Sequence, residues 1–401
     1  MKTNRIVKRA ALLLALSGMA AVTVSAQTTN IWITIGDGVW DNVATNWSSG
    51  AWVDSQVGAP DVAKFIDMQT PVAIQVAPAG ARFQSLDLTG AYIFNGGPLQ
   101  WTMSHGEAGF SNNVLNIGGT SSVTFNTALS YSGTSVNGNQ RFVVGVDSTL
   151  IINKGGAFHK PDNGTQDWYV IANNATVNLS GTFTGVNQFQ VTGTINHGAA
   201  FLSAGNNEVR IGNSSGNTVY NVNHADAWLR GGEITIVQNA GNVGAPRTAA
   251  LNISSGTVHA EWHLHVSRAA NTNAAVSVSG GLLRVVGSNG GNGIHLLQSG
   301  GGAVNQSALL AINGGTVTTS FIDFGGNTAS AAANTNATAT LRLTGGALYL
   351  GNNVTTKEVF FLGGGMSAAD ARIELGGGTV GGINHWSTSM GMTLTGSGGD
   401  V

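Results

Sequence analysis

The chain has 401 residues, of which 9% are charged, against about 25% in an ordinary soluble domain. A net charge of −2 with a pI near 6.5 excludes the electrostatic footprint of a nucleic-acid or anionic-lipid binder. The absence of cysteine excludes a disulfide framework, while a hydrophobic share of 42% excludes a disordered chain. Glycine, at 59 residues, is about twice its usual share of roughly 7%. Low charge, much glycine and normal apolar content predict a β-rich protein with a surface of Asn, Ser, Thr and Gly.

Residues 1–26 read as a secretory signal. Lys2, Arg5, Lys8 and Arg9 form a basic start, ALLLALSGMAAVTV is a short apolar stretch, and small residues precede Gln27, where cleavage is expected. The apolar stretch is shorter than the ~20 residues that span a bilayer, and no membrane span is expected after cleavage.

Residues 27–54 differ in kind from the rest. Trp32, Trp40, Trp47 and Trp52 are four of the nine tryptophans. They suit either a lid on the first coil of a stacked-repeat fold or an aromatic platform for sugar stacking. The lid is favoured, because tryptophan is usually well buried.

From residue 55 to 401 one grammar recurs. It is loose in VLNIGGTSSVTF at Val114, TLIINKGGAFHK at Thr149, ATVNLSGTFTG at Ala175 and WLRGGEITIV at Trp228. It is tight in LNISSGTVHA at Leu251, VSVSGGLLRV at Val276, LAINGGTVTT at Leu310, LRLTGGALYL at Leu341 and IELGGGTVGG at Ile373. Apolar residues alternate, a small-residue turn follows, and a second apolar run closes the unit. Period two marks strands, and the glycines supply positive φ or close backbone approach. The tight units start 25, 34, 31 and 32 residues apart, a solenoid period, and the Asn/Thr/Ala-rich remainder reads as loops of changing length. The predicted fold is all-β: a right-handed parallel β-helix (β-solenoid) behind the N-terminal Trp-rich cap. About a dozen coils at ~4.8 Å each make a rod of roughly 60 Å, with scope for asparagine ladders between coils.

The opening GDGVWDNVATNWSSGAW with PDVAKF at Pro60–Phe65, and the tail ARIELGGGTVGGINHWSTSMGMTLTGSGGD, resemble the autotransporter-associated β-strand repeat proteins. These are large, glycine-rich, cysteine-poor surface proteins of environmental Gram-negative bacteria. The resemblance implies secretion or display at the outer-membrane surface, a structural or adhesive role and no defined catalytic site. Extracellular polysaccharide or other cell-surface components are the partners expected of the polar Asn/Thr/Ser faces and loops, and self-association is open. The family's glycine-rich arrays, terminal barrel and sorting tail do not appear, so residues 1–401 are expected to be the N-terminal part of a longer passenger-like protein.

Two stretches have the residue types for chemistry. In HAEWHLHV, His259, Glu261, His263 and His265 alternate on one face of a strand, with Val258, Ala260, Trp262, Leu264 and Val266 expected on the core face. Imidazole and carboxylate in that pattern suit Zn²⁺ or Cu²⁺, against the plainer reading of an exposed polar stripe. NKGGAFHKPDNGTQDW, at Asn153–Trp168, is the most charged stretch of the chain and reads as a loop. Its Lys154, His159, Lys160, Asp162, Asp167 and Trp168 are candidates for carbohydrate binding, against the plainer reading of a solvated loop. A polysaccharide-cleaving β-helix is the enzymatic alternative, but no paired carboxylates, nucleophile elbow or metalloprotease motif accompany it, so no catalytic residue and no cofactor are assigned.

Overall fold

The computed structural model describes residues 28–33, 37–41, 46–48, 61–83, 85–101, 113–131, 140–158, 167–172, 175–184, 188–191, 193–212, 217–237, 247–286, 292–297, 305–325, 336–351, 358–363, 366 and 370–396. The signal region and Trp52 lie outside them. The described residues contain 32 strands and no helix.

The ladders joining these strands are parallel, and they join segments distant in sequence. Partners lie between 18 residues apart, as in Thr176 with Thr194, and 38 apart, as in Ile322 with Phe360. The tight units of the sequence stack on one another. Leu251 pairs with Val276, Val276 with Leu310, Leu310 with Leu341, and Leu341 with Ile373. The same column runs back through Tyr220, Ile195, Val177, Leu150, Val123 and Tyr92 to Val72. All twelve side chains are buried. Each contributes about 1.5–3 kcal/mol on leaving water, so the column is a principal source of stability.

A second apolar column, two residues on, includes Phe94, Phe125, Ile152, Leu179, Val222, Ile253, Val278, Ile312 and Leu343, with His197 set between Leu179 and Val222. Between these columns the side chains point outward and bond along the stack. Asn196 Nδ2 donates to Asn178 Oδ1 at 2.8 Å, Asn221 to Asn196 at 2.9 Å and Asn252 to Asn221 at 2.9 Å. A second ladder joins Asn95, Asn126 and Asn153, and a third joins Asn271, Asn305 and Asn336. The asparagine ladders expected from composition are therefore present.

The small-residue turns carry a backbone requirement. Gly256, Gly281, Gly315, Gly346 and Gly378 all have positive φ, between 65° and 84°. A Cβ on Gly346 would stand 2.5 Å from the Gly315 carbonyl oxygen, so these turns pack backbone on backbone and admit no side chain.

At the N-terminal end, Thr28–Trp32 pairs in parallel with Asp61–Phe65 and Gly38–Trp40 with Ile74–Val76. Trp32, Trp40 and Trp47 are fully buried around Phe65, at ring distances of 5.3, 5.6 and 5.2 Å. These three indoles are core, not a sugar platform.

Candidate functional site

The strand Thr257–Val266 places the four residues expected to hold a metal on two different segments. Thr257–Ala260 pairs with Leu282–Val285, whereas His263–His265 pairs with Gly293–His295. On the other side, the register breaks between Gly231 and Glu233. The chain turns a corner at Glu261–Trp262, and Trp262, expected in the core, is 43% exposed there. Strict alternation fails because an inward direction is lost at the corner; Leu264 and Val266 face the core again beyond it.

Before the corner, Glu261 is paired with Arg230, whose Nη2 lies 2.6 Å from Oε1. His259 has a lowered pKa, chiefly through burial, with Glu261 opposing the shift. Neither residue contacts the cluster that forms after the corner in any hydrogen bond or ion pair described for it.

That cluster joins four successive repeats. Thr235, His265, His295 and Asp323 stand in register on neighbouring strands. His295 Nδ1 is 3.1 Å from Asp323 Oδ2, and His295 Nε2 is 3.2 Å from His263 Nδ1. His265 Nε2 is 3.2 Å from Glu233 Oε1. The three imidazole centroids form a near-equilateral triangle, with sides of 5.4 Å (His263–His265), 5.1 Å (His263–His295) and 4.9 Å (His265–His295). Phe321 closes one side, edge-on to His295 at 5.4 Å.

Three carboxylates, Glu208, Glu233 and Asp323, and the Arg268 guanidinium stand around the cluster. Arg268 forms an ion pair with Glu233 and lies 3.8 Å from Glu208 Oε1. Thr235 Oγ1 shares its one proton between Glu208 Oε1 at 2.8 Å and Glu233 Oε1 at 3.1 Å. Burial raises the Glu233 carboxyl above its ordinary pKa, against the pull of Arg268. Burial first, then the neighbouring His295 and Arg268, brings His263 down to about 4 and holds His265 well below its usual value. The two imidazoles are therefore neutral at pH 7. His265, His295 and Asp323 are buried although they occupy outward-pointing positions of their strands.

Sequence reading pointed to His263 and His265 and missed His295, Asp323, Glu233 and Arg268. The signal for two of them lay in aligning the third apolar run of each repeat. EITI, HLHV, GIHL and FIDF put Thr235, His265, His295 and Asp323 at one position.

The loop expected at Asn153–Trp168 is shorter than its composition suggested. Gly155–Phe158 is a strand paired with Leu129–Tyr131 and with the strand Thr176–Thr184, and Asp167–Ala172 is another. The Gly155 turn, at φ +69°, lets the chain resume its pairing at once. Lys154 is exposed. Asp167 and Trp168 have their backbone in a strand, pairing with Gln188 and Phe189, while His159, Lys160 and Asp162 lie outside the described residues. Among the described residues, no group of three or more His, Asp or Glu side chains is placed, as it stands, to hold a metal ion. No family model, no curated protein and no solved structure matches the chain.

Proposed function

We propose that the chain is a right-handed parallel β-helix, closed by its tryptophan-rich cap, that acts as a non-enzymatic structural and adhesive module. It is exported through residues 1–26 and works at the surface of a Gram-negative cell or outside it, in the manner of the autotransporter-associated repeat proteins it resembles. The observation that carries this reading is the unbroken stack from Val72 to Ile373, with asparagine ladders on its outward side. A stack of this kind builds length and a flat, uncharged polar face from short repeats, which suits contact with other surface chains better than turnover of a small substrate. Antibody raised to residues 60–400 should label intact cells or appear with released protein. Labelling confined to the periplasm of permeabilised cells refutes the surface role.

A carbohydrate-binding reading rests on one separate observation. Trp228 is 42% exposed, with Phe201 packed edge-on at 5.3 Å, and the exposed Trp262 adjoins the Arg230–Glu261 pair. Exposed indoles beside charged hydrogen-bonding groups suit stacking on sugar rings. Retardation of the chain in polysaccharide-containing gels, lost in Trp228→Ala, is the expected result. Equal mobility with and without a panel of polysaccharides removes this reading.

A further inference from the structure

We propose that His263, His265 and His295 form a binding site for a late first-row divalent cation, with Zn²⁺ as the probe, backed by the carboxylates of Asp323 and Glu233. Neutral imidazole carries one N–H and one lone pair. His295 Nδ1 faces Asp323 Oδ2 and His265 Nε2 faces Glu233 Oε1, and a carboxylate can only accept, so these nitrogens carry the protons. With both rings in the neutral form that a metal requires, the lone pairs fall on His295 Nε2 and His265 Nδ1. His295 Nε2 accepts from His263 Nδ1 at 3.2 Å, whereas His265 Nδ1 is buried with no hydrogen-bond partner.

An imidazole whose far N–H is held by a carboxylate is the usual state of a metal-bound histidine, since the carboxylate fixes the tautomer and raises ligand basicity. Two such histidines stand side by side here. The spacing also suits a common ion. Three imidazoles on one tetrahedral Zn²⁺, at ~2.0–2.1 Å per nitrogen, place their ring centroids about 5 Å apart. The observed sides of 5.4, 5.1 and 4.9 Å fall at that spacing, the shortest being also the ordinary distance between the paired strands that carry His265 and His295. Imidazole donors favour Zn²⁺ and Cu²⁺ over Mg²⁺ or Ca²⁺.

The nitrogens do not yet converge, because His265 and His295 are nearly parallel, at 20°, and His263 spends Nδ1 on His295. Binding therefore requires His263, the most exposed of the three rings, to rotate off His295 Nε2 and the stacked His265 and His295 rings to tilt toward one another. Loss of a buried unpartnered lone pair on His265 favours the bound arrangement. The site differs from the one alternation suggested in HAEWHLHV: it excludes His259 and Glu261 and recruits His295 and Asp323 from the next two repeats.

The test is calorimetry with Zn²⁺ alone on the purified chain, followed by ¹⁵N spectra of the histidine rings. One ion per chain should bind. His263→Gln should weaken binding at least tenfold and His295→Gln at least a hundredfold. Asp323→Asn should weaken it by about 10–100-fold, the usual effect of losing a ligand's carboxylate partner. His259→Gln should bind as wild type. The ring nitrogens of His263 and His295 should shift on titration, a readout on the unmutated protein that holds even where a variant misfolds. No uptake of Zn²⁺, or uptake that leaves those nitrogens unshifted, overturns the proposal. So does equal affinity in a folded His263→Gln/His295→Gln double variant.

Discussion

His197 Nδ1 lies 2.8 Å from the Tyr220 hydroxyl oxygen, inside a column whose neighbouring rungs are Leu179 and Val222. Its Nε2 faces the Ala200 carbonyl at 2.7 Å. Among the described residues no charged group faces it, and burial in the apolar column lowers its pKa to about 4 from 6.5, against the opposing Ala200 bond. The folded chain therefore holds His197 neutral, while the unfolded chain protonates it below pH 6.5. The contribution is complete above pH 6.5 and is lost as pH falls toward 4, where the folded state also takes up the proton. Its size is about 3 kcal/mol at most. His197→Gln should flatten this part of the profile. Urea titrations from pH 7.5 to 4 check it, and parallel curves for wild type and variant would count against the assignment.

The two apolar columns were legible because period two and a 25–34-residue recurrence are carried by the residues themselves. Leu251, Val276, Leu310, Leu341 and Ile373 can be aligned by eye, and they are the residues that pair. The histidine cluster was only half legible. His263 and His265 are adjacent on one strand, but His295 and Asp323 arrive from 30 and 58 positions after His265, across loops of unequal length. Alternation also predicted that His265 faces solvent. Stacking on His295 buries it instead, a tertiary effect that local pattern cannot carry.

Leu310→Ala removes one rung from the first column. Its neighbours Val276 and Leu341 are held by ladders on both sides and collapse little, so the cost should be about 2–5 kcal/mol. Tyr349, 39% exposed in the same ladder, should cost much less when replaced by Ala. Amide hydrogen exchange should show lost protection in the repeats around residue 310 after Leu310→Ala. Uniform protection identical to wild type would mean the column is not a source of local stability.

The turn glycines separate two costs that are usually mixed. Gly205 has φ +58° and nothing within 4 Å of the position a Cβ would take, so Gly205→Ala should cost only the left-handed conformation, about 1–2 kcal/mol. Gly346 has φ +73° and a Cβ position 2.5 Å from the Gly315 oxygen and 2.6 Å from the Gly314 carbonyl carbon. Gly346→Ala should add about 1–3 kcal/mol of overpacking to the same conformational cost. Thermal denaturation of both variants checks the order. Equal losses would show that the backbones of neighbouring turns can separate freely.

Asn221 is the middle of the four-residue ladder, donating to Asn196 and accepting from Asn252. Asn221→Leu keeps the branching and the number of heavy atoms but leaves the Asn196 carbonyl oxygen and the Asn252 amide each short of a partner in a half-buried row. Each orphaned group costs about 1–3 kcal/mol if water cannot reach it, and less where it can. A loss of about 1–3 kcal/mol in total is therefore expected, against less than 1 kcal/mol for Asn178→Leu, at an end of the same ladder, which orphans only one neighbour. The comparison matters for the proposed role. If the interior and terminal substitutions cost the same, the asparagines act singly, and the polar face does not rely on a cooperative ladder. If the interior one costs more, the ladder clamps successive repeats together and keeps the face flat over its length.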